Sequence, residues 1–272
     1  MSDLVSVIMP AYNAGAYIAN SINSVLRQTY PEWELIIVDD CSKDNTCEII
    51  QSIKDTRIRL FQNDVNSGAA VSRNRALREA KGTWIAFLDG DDIWHPEKLS
   101  RQISFMKGNN YSFSCTDYRI KLNGEWLPYV NSGPLVVNKR KMYDYCYFST
   151  ITVMYNRNEI GLVQIEDLKK NNDYAMWLQI IEKAKCYRLT ECLSFYIKHD
   201  GSISSGSKLK LIKWHYLLFR KGMHKTGFVS VLLTLRNLCF GMVNKVTCRR
   251  KLTAVSIQNT NDIEKSANSD AD

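Results

Sequence analysis

Residues 83–96, TWIAFLDGDDIWHP, hold the feature on which the interpretation of this 272-residue chain depends. The apolar run 84–88 has the length and residue types of a buried strand, and it stops at three carboxylates, Asp89, Asp91 and Asp92. Such neighbours repel one another unless a positive charge lies beside them. A Mg²⁺ or Mn²⁺ ion takes oxygen ligands, usually one or two carboxylates together with substrate phosphates. The stretch therefore predicts a divalent cation site just past a strand.

An acidic turn that caps a helix is the alternative for the same residues. Pro96 is typical of the start of a helix, and a preceding carboxylate can accept hydrogen bonds from the free amides there. Gly90 favours the cation site, because a glycine leaves room for close approach. These residues alone leave both interpretations open.

Segments typical of strands and helices alternate before this stretch. Runs rich in branched apolar residues predict strands at 4–10, 34–38 and 58–61. Apolar residues at helical spacing, with capping residues, predict helices at 17–28, 44–53 and 68–80. The alternation predicts βαβ units, and hence an α/β fold with a mainly parallel sheet flanked by helices.

Polar residues follow the predicted strands at their carboxyl ends, where open sheets of this kind bind ligands. Tyr12 follows the first strand, and Asp39 and Asp40 follow the second. An aromatic ring for a base, acids for a ribose or base edge, and acids for a metal meet the needs of a nucleotide diphosphate. The first strand is followed by no GxGxxG and the chain has no GxxxxGK[ST], which disfavours dinucleotide dehydrogenases and P-loop NTPases.

The later part of the chain is less regular. Residues 111–121 predict a strand, Asn123–Gly124 a hairpin turn, and 126–155 an aromatic-rich region. A helix is predicted within 166–184, and its apolar face leaves Asp173 in the first turn, where a carboxylate could simply be a cap.

The net charge of +8 is unevenly distributed. Residues 201–261 contain 11 Lys or Arg and no acid, so the rest of the chain carries −3. Residues 207–252 predict basic amphipathic helices that lie on an anionic membrane surface. A helix packed on the body of the protein and a nucleic-acid patch are the alternatives. Residues 253–272 predict a disordered tail.

Cysteine usage and hydropathy indicate the compartment. The eight cysteines form no CxxC pair, which is typical of reduced thiols in the cytosol. The N-terminus has no signal-peptide pattern, and no uninterrupted apolar run reaches the length of a membrane span.

The chain resembles the family 2 glycosyltransferases with the GT-A fold, of the non-processive kind that builds bacterial surface polysaccharides. No QxxRW motif of processive synthases is present. The residues that carry the resemblance occur in the family's order: VSVIMPAYN (5–13), SVLRQTYPEWELIIVDDCSKDNT (24–46), NSGAAVSRNRAL (66–77), KGTWIAFLDGDDIWHPEKL (81–99) and NNDYAMWL (171–178).

The resemblance implies a nucleotide-sugar site. Tyr12 would stack near the uracil, Asp40 would bind the edge of the base, and Asp39 would support the turn, although both acids could instead be caps. Arg73 would contact the nucleotide, because a guanidinium suits a diphosphate or a base carbonyl.

The resemblance also implies a metal site for Mn²⁺ or Mg²⁺. Asp91 would be the main protein ligand, Asp89 would share metal and ribose contacts, and Asp92 would orient the ligands from beside the nucleotide sugar. His199 would bind the metal or the phosphates.

Asp173 matches the family's general base, with Glu166 as the second candidate. Members usually carry an acid before this aspartate, and Asn172 stands there instead. An inverting transfer needs one carboxylate that takes the proton from the acceptor hydroxyl.

These assignments imply a domain plan and an activity. Residues 1–206 would form the catalytic domain, with a nucleotide-sugar half (1–110) and an acceptor half (111–206), followed by the membrane-association segment 207–252. The implied reaction moves a hexose, glucose or galactose, from a UDP-sugar to an undecaprenyl-diphosphate-linked sugar in O-antigen or capsule synthesis. The enzyme would be cytoplasmic and associated peripherally with the inner membrane. A nucleotidyltransferase and an inactive peripheral membrane scaffold of the same fold are the alternatives.

Overall fold

The computed structural model describes residues 3–166, 168–198 and 208–251. The predicted metal ligand His199 and the predicted disordered tail lie outside the described residues. The strands are β1 (Val5–Ala11), β2 (Trp33–Asp39), β3 (Ile58–Gln62), β4 (Trp84–Phe87), β5 (Ile93–Trp94), β6 (Phe113–Leu122), β7 (Glu125–Trp126), β8 (Tyr129–Asn131), β9 (Val136–Val137), β10 (Met154–Asn156), β11 (Cys186–Lys198) and β12 (Arg249–Lys251).

Helices connect these strands. They are α1 (Ile18–Leu26), α2 (Thr46–Ser52), α3 (Ala69–Glu79), α4 (Lys98–Asn109), α5 (Lys139–Asp144), α6 (Arg157–Ile160), α7 (Asn172–Ile181), α8 (Lys208–Leu217) and α9 (Gly227–Thr247), with a 3₁₀ turn at Thr150–Thr152 and a π-helical turn at Leu218–Gly222.

The N-terminal half is a parallel sheet in the order β3-β2-β1-β4, as the alternating pattern predicts. Side chains alternate between its two faces. Val5, Val7 and Met9 of β1 pack with α1, α2 and α4 on one face, while Ile8 packs with α3 and α7 on the other. This two-sided burial explains why the strands are apolar along their whole length.

The second half of the chain extends the same sheet. β10 is inserted antiparallel between β4 and β6, and the long strand β11 pairs in parallel with β6. The hairpin predicted at Asn123–Gly124 is confirmed: both residues have positive φ, and β6 and β7 pair on either side.

The C-terminal helices pack on this second half. Asn237 of α9 is buried and donates to the hydroxyl of Tyr174 on α7 over 2.7 Å, and Arg236 pairs with Asp144 of α5. After α9 the chain returns to the sheet, where β12 pairs with β8. Helix α9 is therefore attached to the body of the protein through one face. For that face, the alternative of a helix packed on the protein describes the structure.

The opposite face of α9 is exposed and apolar. Its exposed side chains are Phe228, Val229, Val231, Leu232, Leu235, Phe240, Met242, Val243 and Val246. Among the described residues, Gly227–Asn244 is the one helical segment long and apolar enough to cross a membrane, with a mean hydropathy of 1.3 and 17% of it buried.

Candidate active site

The carboxyl ends of β1, β2 and β4 meet at one edge of the sheet. Ala11 of β1 lies opposite Asp39 of β2, and the amide of Asp40 donates to the carbonyl of Ala11 over 2.8 Å. β4 lies on the other side of β1 in parallel. Tyr12, Asp39, Asp40 and the DGDD turn are therefore brought to the same edge, as parallel strand order requires.

Asp39 and Asp40 hold the loops around this edge. The carboxylate of Asp39 accepts from the amide of Ser42 over 3.0 Å and from its hydroxyl. The carboxylate of Asp40 accepts from the amides of Ser67 and Gly68, the latter over 2.6 Å, just before α3. Asp40 therefore acts in part as a cap, as the alternative interpretation predicted, because its carboxylate accepts hydrogen bonds from free amides at the start of α3.

The turn after β1 is fastened to the turn after β2. Asn13, in a left-handed conformation, accepts from the amide of Lys43 over 2.8 Å, and Asp44 accepts from Gly15 over 3.0 Å. Tyr12 lies beside these contacts, and the residue is 49% exposed. Its ring is available to a planar ligand at the rim.

Arg73 of α3 connects the DGDD turn to the rest of the site. Its guanidinium is buried and contacts Asp89 over 2.5 Å, and its Nε has no hydrogen-bond partner within the described residues. Burial lowers the pKa of Arg73, but the charges of Asp89, Asp173 and Asp91 outweigh it and the pKa is raised. Three carboxylates from two distant motifs therefore act on one cation.

Asp92 points into the protein. One oxygen accepts from the amide of Ile197 in β11 over 2.8 Å, while the other is buried with no partner within the described residues. Burial, followed by repulsion from Asp91 and Asp89, raises its pKa well above the ordinary value. Asp92 therefore ties the DGDD turn to β11.

The DGDD turn does not cap a helix. The strand β5 (Ile93–Trp94) follows it, and α4 begins later, at Lys98, with no side-chain cap. The turn packs closely against α1 at Gly90, since a Cβ there would lie 2.9 Å from Ile18 Cδ1. The capping interpretation of this stretch is wrong because pairing between β5 and β11 continues the sheet.

The site offers few protein ligands for a metal. Within the described residues no three His, Cys, Asp or Glu side chains converge on one point. Asp89 and Asp91 are both partly exposed at the edge and present hard oxygen donors. This set fits Mg²⁺ or Mn²⁺ if phosphates and water complete the shell, which is the usual arrangement for those ions.

Asp173 lies in the first turn of α7 and is held from two sides. One carboxylate oxygen accepts from the amide of Tyr174 over 2.8 Å, and the other accepts from the hydroxyl of Thr150 over 3.0 Å. Thr150 was not predicted as a site residue, because no motif or spacing in the sequence relates it to Asp173. The carboxylate of Glu166, the other candidate base, lies 3.5 Å from Nε2 of His224, an ion pair only when that imidazole is protonated.

Comparison with known protein families identifies the family of this chain. The model of glycosyl transferase family 2 matches residues 6–165, which is more than half of the chain. This chain is a family 2 glycosyltransferase. Membership of the family confirms the resemblance that the five motifs indicated, and the nucleotidyltransferase and inactive-scaffold alternatives gain no support.

Relatives from bacterial polysaccharide synthesis cover most of the chain. This glycosyltransferase is 39% identical over 222 residues to the putative teichuronic acid biosynthesis glycosyltransferase TuaG of Bacillus subtilis, covering 80% of this chain and 88% of TuaG. It is 40% identical over 212 residues to WfaP of Escherichia coli, named a UDP-Glc:alpha-D-GlcNAc-diphosphoundecaprenol beta-1,3-glucosyltransferase, covering 78% of this chain and 84% of WfaP.

Solved structures confirm the GT-A fold. Staphylococcus aureus TarS (1–349), in complex with UDP-GlcNAc, aligns with a TM-score of 0.70 at 22% identity, over 88% of this chain and 72% of TarS. The mannosyltransferase PcManGT of Pyrobaculum calidifontis, in complex with GDP-Man and Mn²⁺, aligns with a TM-score of 0.60 at 15% identity. The alignment covers 96% of this chain and 80% of PcManGT.

Proposed function

We propose that this glycosyltransferase moves a hexose, with inversion at the anomeric carbon, from a UDP-sugar to a saccharide linked to undecaprenyl diphosphate. The observation that carries the proposal is the ion pair of Arg73 with Asp89 at the sheet edge, over 2.5 Å. The charges of Asp173 and Asp91 also favour the charged form of Arg73 and raise its pKa. A donor diphosphate beside Asp91 would place the anomeric carbon close to Asp173. The names of WfaP and a second Escherichia coli relative, WfgD, favour UDP-glucose as donor and GlcNAc as the acceptor sugar.

The donor would lie along the edge formed by β1, β2 and β4. Tyr12 would stack on the uracil, while Asp39 and Asp40 hold the loops that shape the base pocket and Asp40 approaches the base edge. Arg73 would orient Asp89 and face the diphosphate. Asp91 and Asp89 would hold Mg²⁺ or Mn²⁺, which supplies Lewis-acid neutralisation of the diphosphate when bound.

Asp173 would act as the general base. The acceptor oxygen attacks the anomeric carbon from the face opposite the diphosphate, its proton passes to Asp173, and the bond to the diphosphate breaks to release UDP. The hydroxyl of Thr150 would keep the carboxylate turned toward the acceptor. Asp92 would act indirectly, by holding β11 against the metal turn.

Peripheral association with the cytoplasmic leaflet of the inner membrane belongs to the same proposal. The exposed apolar face of α9 and the basic composition of residues 201–261 support it, since interfacial helices combine these two features. An enzyme that lies on the membrane would meet a lipid-linked acceptor where it is embedded.

The test is transfer from UDP-glucose, UDP-galactose and UDP-GlcNAc to synthetic GlcNAc-diphosphate-lipid. We expect a β-linked product from UDP-glucose, identified by the anomeric coupling in its NMR spectrum. An α-linked product from this α-configured donor would overturn inversion. Absence of transfer with every donor, from protein that binds UDP, would overturn the acceptor class.

A further inference from the structure

A shallow, open depression of about 590 Å³, called the α5–α9 cleft below, lies between α5 and α9. Four of its lining side chains are cationic: Lys139, Arg140, Lys225 and Arg236. Tyr143 and Leu233 provide apolar wall, and no carboxylate lines it. Cationic side chains grouped in this way attract an anion.

Two of these cations are neutralised by carboxylates just outside the cleft. Lys139 pairs with Glu182 over 2.6 Å, and Arg236 pairs with Asp144. In the part of the chain that the structure describes, Arg140 and Lys225 have no carboxylate partner. The cleft therefore keeps two uncompensated positive charges, which attract the singly charged phosphodiester of a lipid headgroup.

The cleft is separate from the sugar-transfer centre. Lys139 pairs with Glu182 just beyond the C-terminal end of α7, whereas Asp173 lies in its first turn. Ten residues of helix span about 15 Å. An anion bound at the Lys139 end of the cleft therefore lies away from Asp173 and is distinct from a donor diphosphate beside Asp91.

The surroundings of the cleft indicate what carries the anion. Arg236 belongs to α9, whose exposed side chains on the neighbouring positions Leu232 and Leu235 are apolar and about half exposed. A lipid contacts the cations of the cleft through its phosphate and the apolar side chains of α9 through its hydrocarbon tail, whereas a soluble phosphate contacts only the cations. A nucleic acid would leave the apolar face in water.

We propose that the α5–α9 cleft binds the phosphate headgroup of an anionic membrane lipid while the apolar face of α9 enters the outer part of the leaflet. The proposal rests on the proposed function in one respect, namely that this enzyme works at a membrane. It adds a defined headgroup site that fixes which side of the catalytic domain faces the bilayer. The inner face of α9 contacts Tyr174, next to Asp173, so this site would position the base helix relative to lipid-linked acceptors.

The test compares two pairs of substitutions in the full chain. Arg140→Ala/Lys225→Ala removes the uncompensated cations of the cleft. Lys54→Ala/Lys81→Ala removes the same charge from exposed positions on the donor half. Binding is measured by cosedimentation with vesicles of phosphatidylglycerol and phosphatidylcholine, and with phosphatidylcholine alone.

We expect the double variant Arg140→Ala/Lys225→Ala, the cleft pair, to bind anionic vesicles about 30-fold more weakly than the wild type. Each cation near such a surface strengthens binding about fivefold. The double variant Lys54→Ala/Lys81→Ala, the donor-half pair, should change the affinity for anionic vesicles less than twofold. Equal losses in both pairs would show general electrostatic attraction and overturn the site. Unchanged binding of the cleft pair would overturn it too.

Two further measurements separate the remaining outcomes. Calorimetry with inorganic phosphate should show no saturable binding; tight binding would assign the cleft to a soluble anion and overturn the lipid. UDP binding by the cleft pair should equal that of the wild type, which shows an intact fold. Failure of sugar transfer to any lipid acceptor would count against the proposed function alone, because the vesicle result does not depend on turnover.

Discussion

The donor half and the C-terminal half of this glycosyltransferase are built from contacts of different range. In the donor half, β1 pairs with β2 and β2 with β3, and Tyr12, Asp40 and the DGDD turn follow strand ends. Arg73 on α3 and the pairing of β1 with β4 are the longer-range features of this half. In the C-terminal half, Arg250 reaches Asp117 across 133 residues, and Asn237 reaches Tyr174 across 63. Local motifs therefore describe the first region, and only the folded chain describes the second.

The two regions meet at the sheet edge. Asp89 and Asp91 come from the donor half and Asp173 from the acceptor half, and Arg73 lies within the influence of all three. Each prediction below tests how far one region works without the other, beginning with the largest expected effect.

Asp173→Asn should lower kcat on the order of 10²- to 10⁴-fold, because the acceptor hydroxyl loses its proton acceptor. UDP affinity, measured by calorimetry, should stay within about twofold, since the donor half is intact. Glu166→Gln is the matched control and should keep near-normal turnover. The reverse ranking of the two variants would transfer the role of base to Glu166.

Asp91→Ala should lower transfer about 10²- to 10³-fold, because the diphosphate leaves without a metal ligand in place. The metal dependence of UDP binding should disappear with it. Glu48→Ala removes an exposed carboxylate of the same half and should have no such effect. Full wild-type activity in EDTA would contradict metal-dependent transfer.

Arg73→Lys should weaken UDP-sugar binding about 10- to 100-fold, because an ammonium cannot hold Asp89 and face a diphosphate at once. Arg75→Lys, two residues along the same helix, is the control; within the described residues its guanidinium donates hydrogen bonds to Gln62 and Asn63. Steady-state KM for the donor distinguishes them. Equal KM values would remove Arg73 from the donor site.

Asn237→Leu should lower the free energy of unfolding by about 1–2 kcal/mol, because a buried hydrogen bond between α9 and α7 is lost. Cys239→Ser lies on the exposed face of α9 and should leave it unchanged. Chemical denaturation measures both. If Asn237→Leu leaves the free energy of unfolding unchanged, the long-range contact between α9 and α7 does not stabilise the acceptor half.

The fold of the donor half was predictable because each of its signals is local. An apolar strand followed by Tyr12, Asp39–Asp40 or the DGDD turn predicts both the sheet and the edge on which ligands bind. Helix α7 was predicted in the same way, from the apolar spacing behind Asp173. The assigned roles of these residues stay predictions until the variants above are measured.

The orientation of the acids could not be read from their spacing. Asp92 turns inward because the amide of Ile197, 105 residues later, lies there to bind it, whereas Asp89 turns toward Arg73. Thr150 reaches Asp173 because the 3₁₀ turn lies beside α7. Such contacts depend on how distant segments pack, and no periodicity records them.

The sequence by itself determined the family, the parallel donor sheet and the acidic edge, since strand order and motif position follow from short-range patterns. Only the tertiary structure decided which face of α9 is buried, that β12 joins the sheet, and that four cations meet in the α5–α9 cleft. The physical reason is the same in each case. The sequence of an amphipathic or basic segment predicts that it has an apolar or a charged face. Which other element of the protein that face contacts depends on the packing of elements distant in the chain.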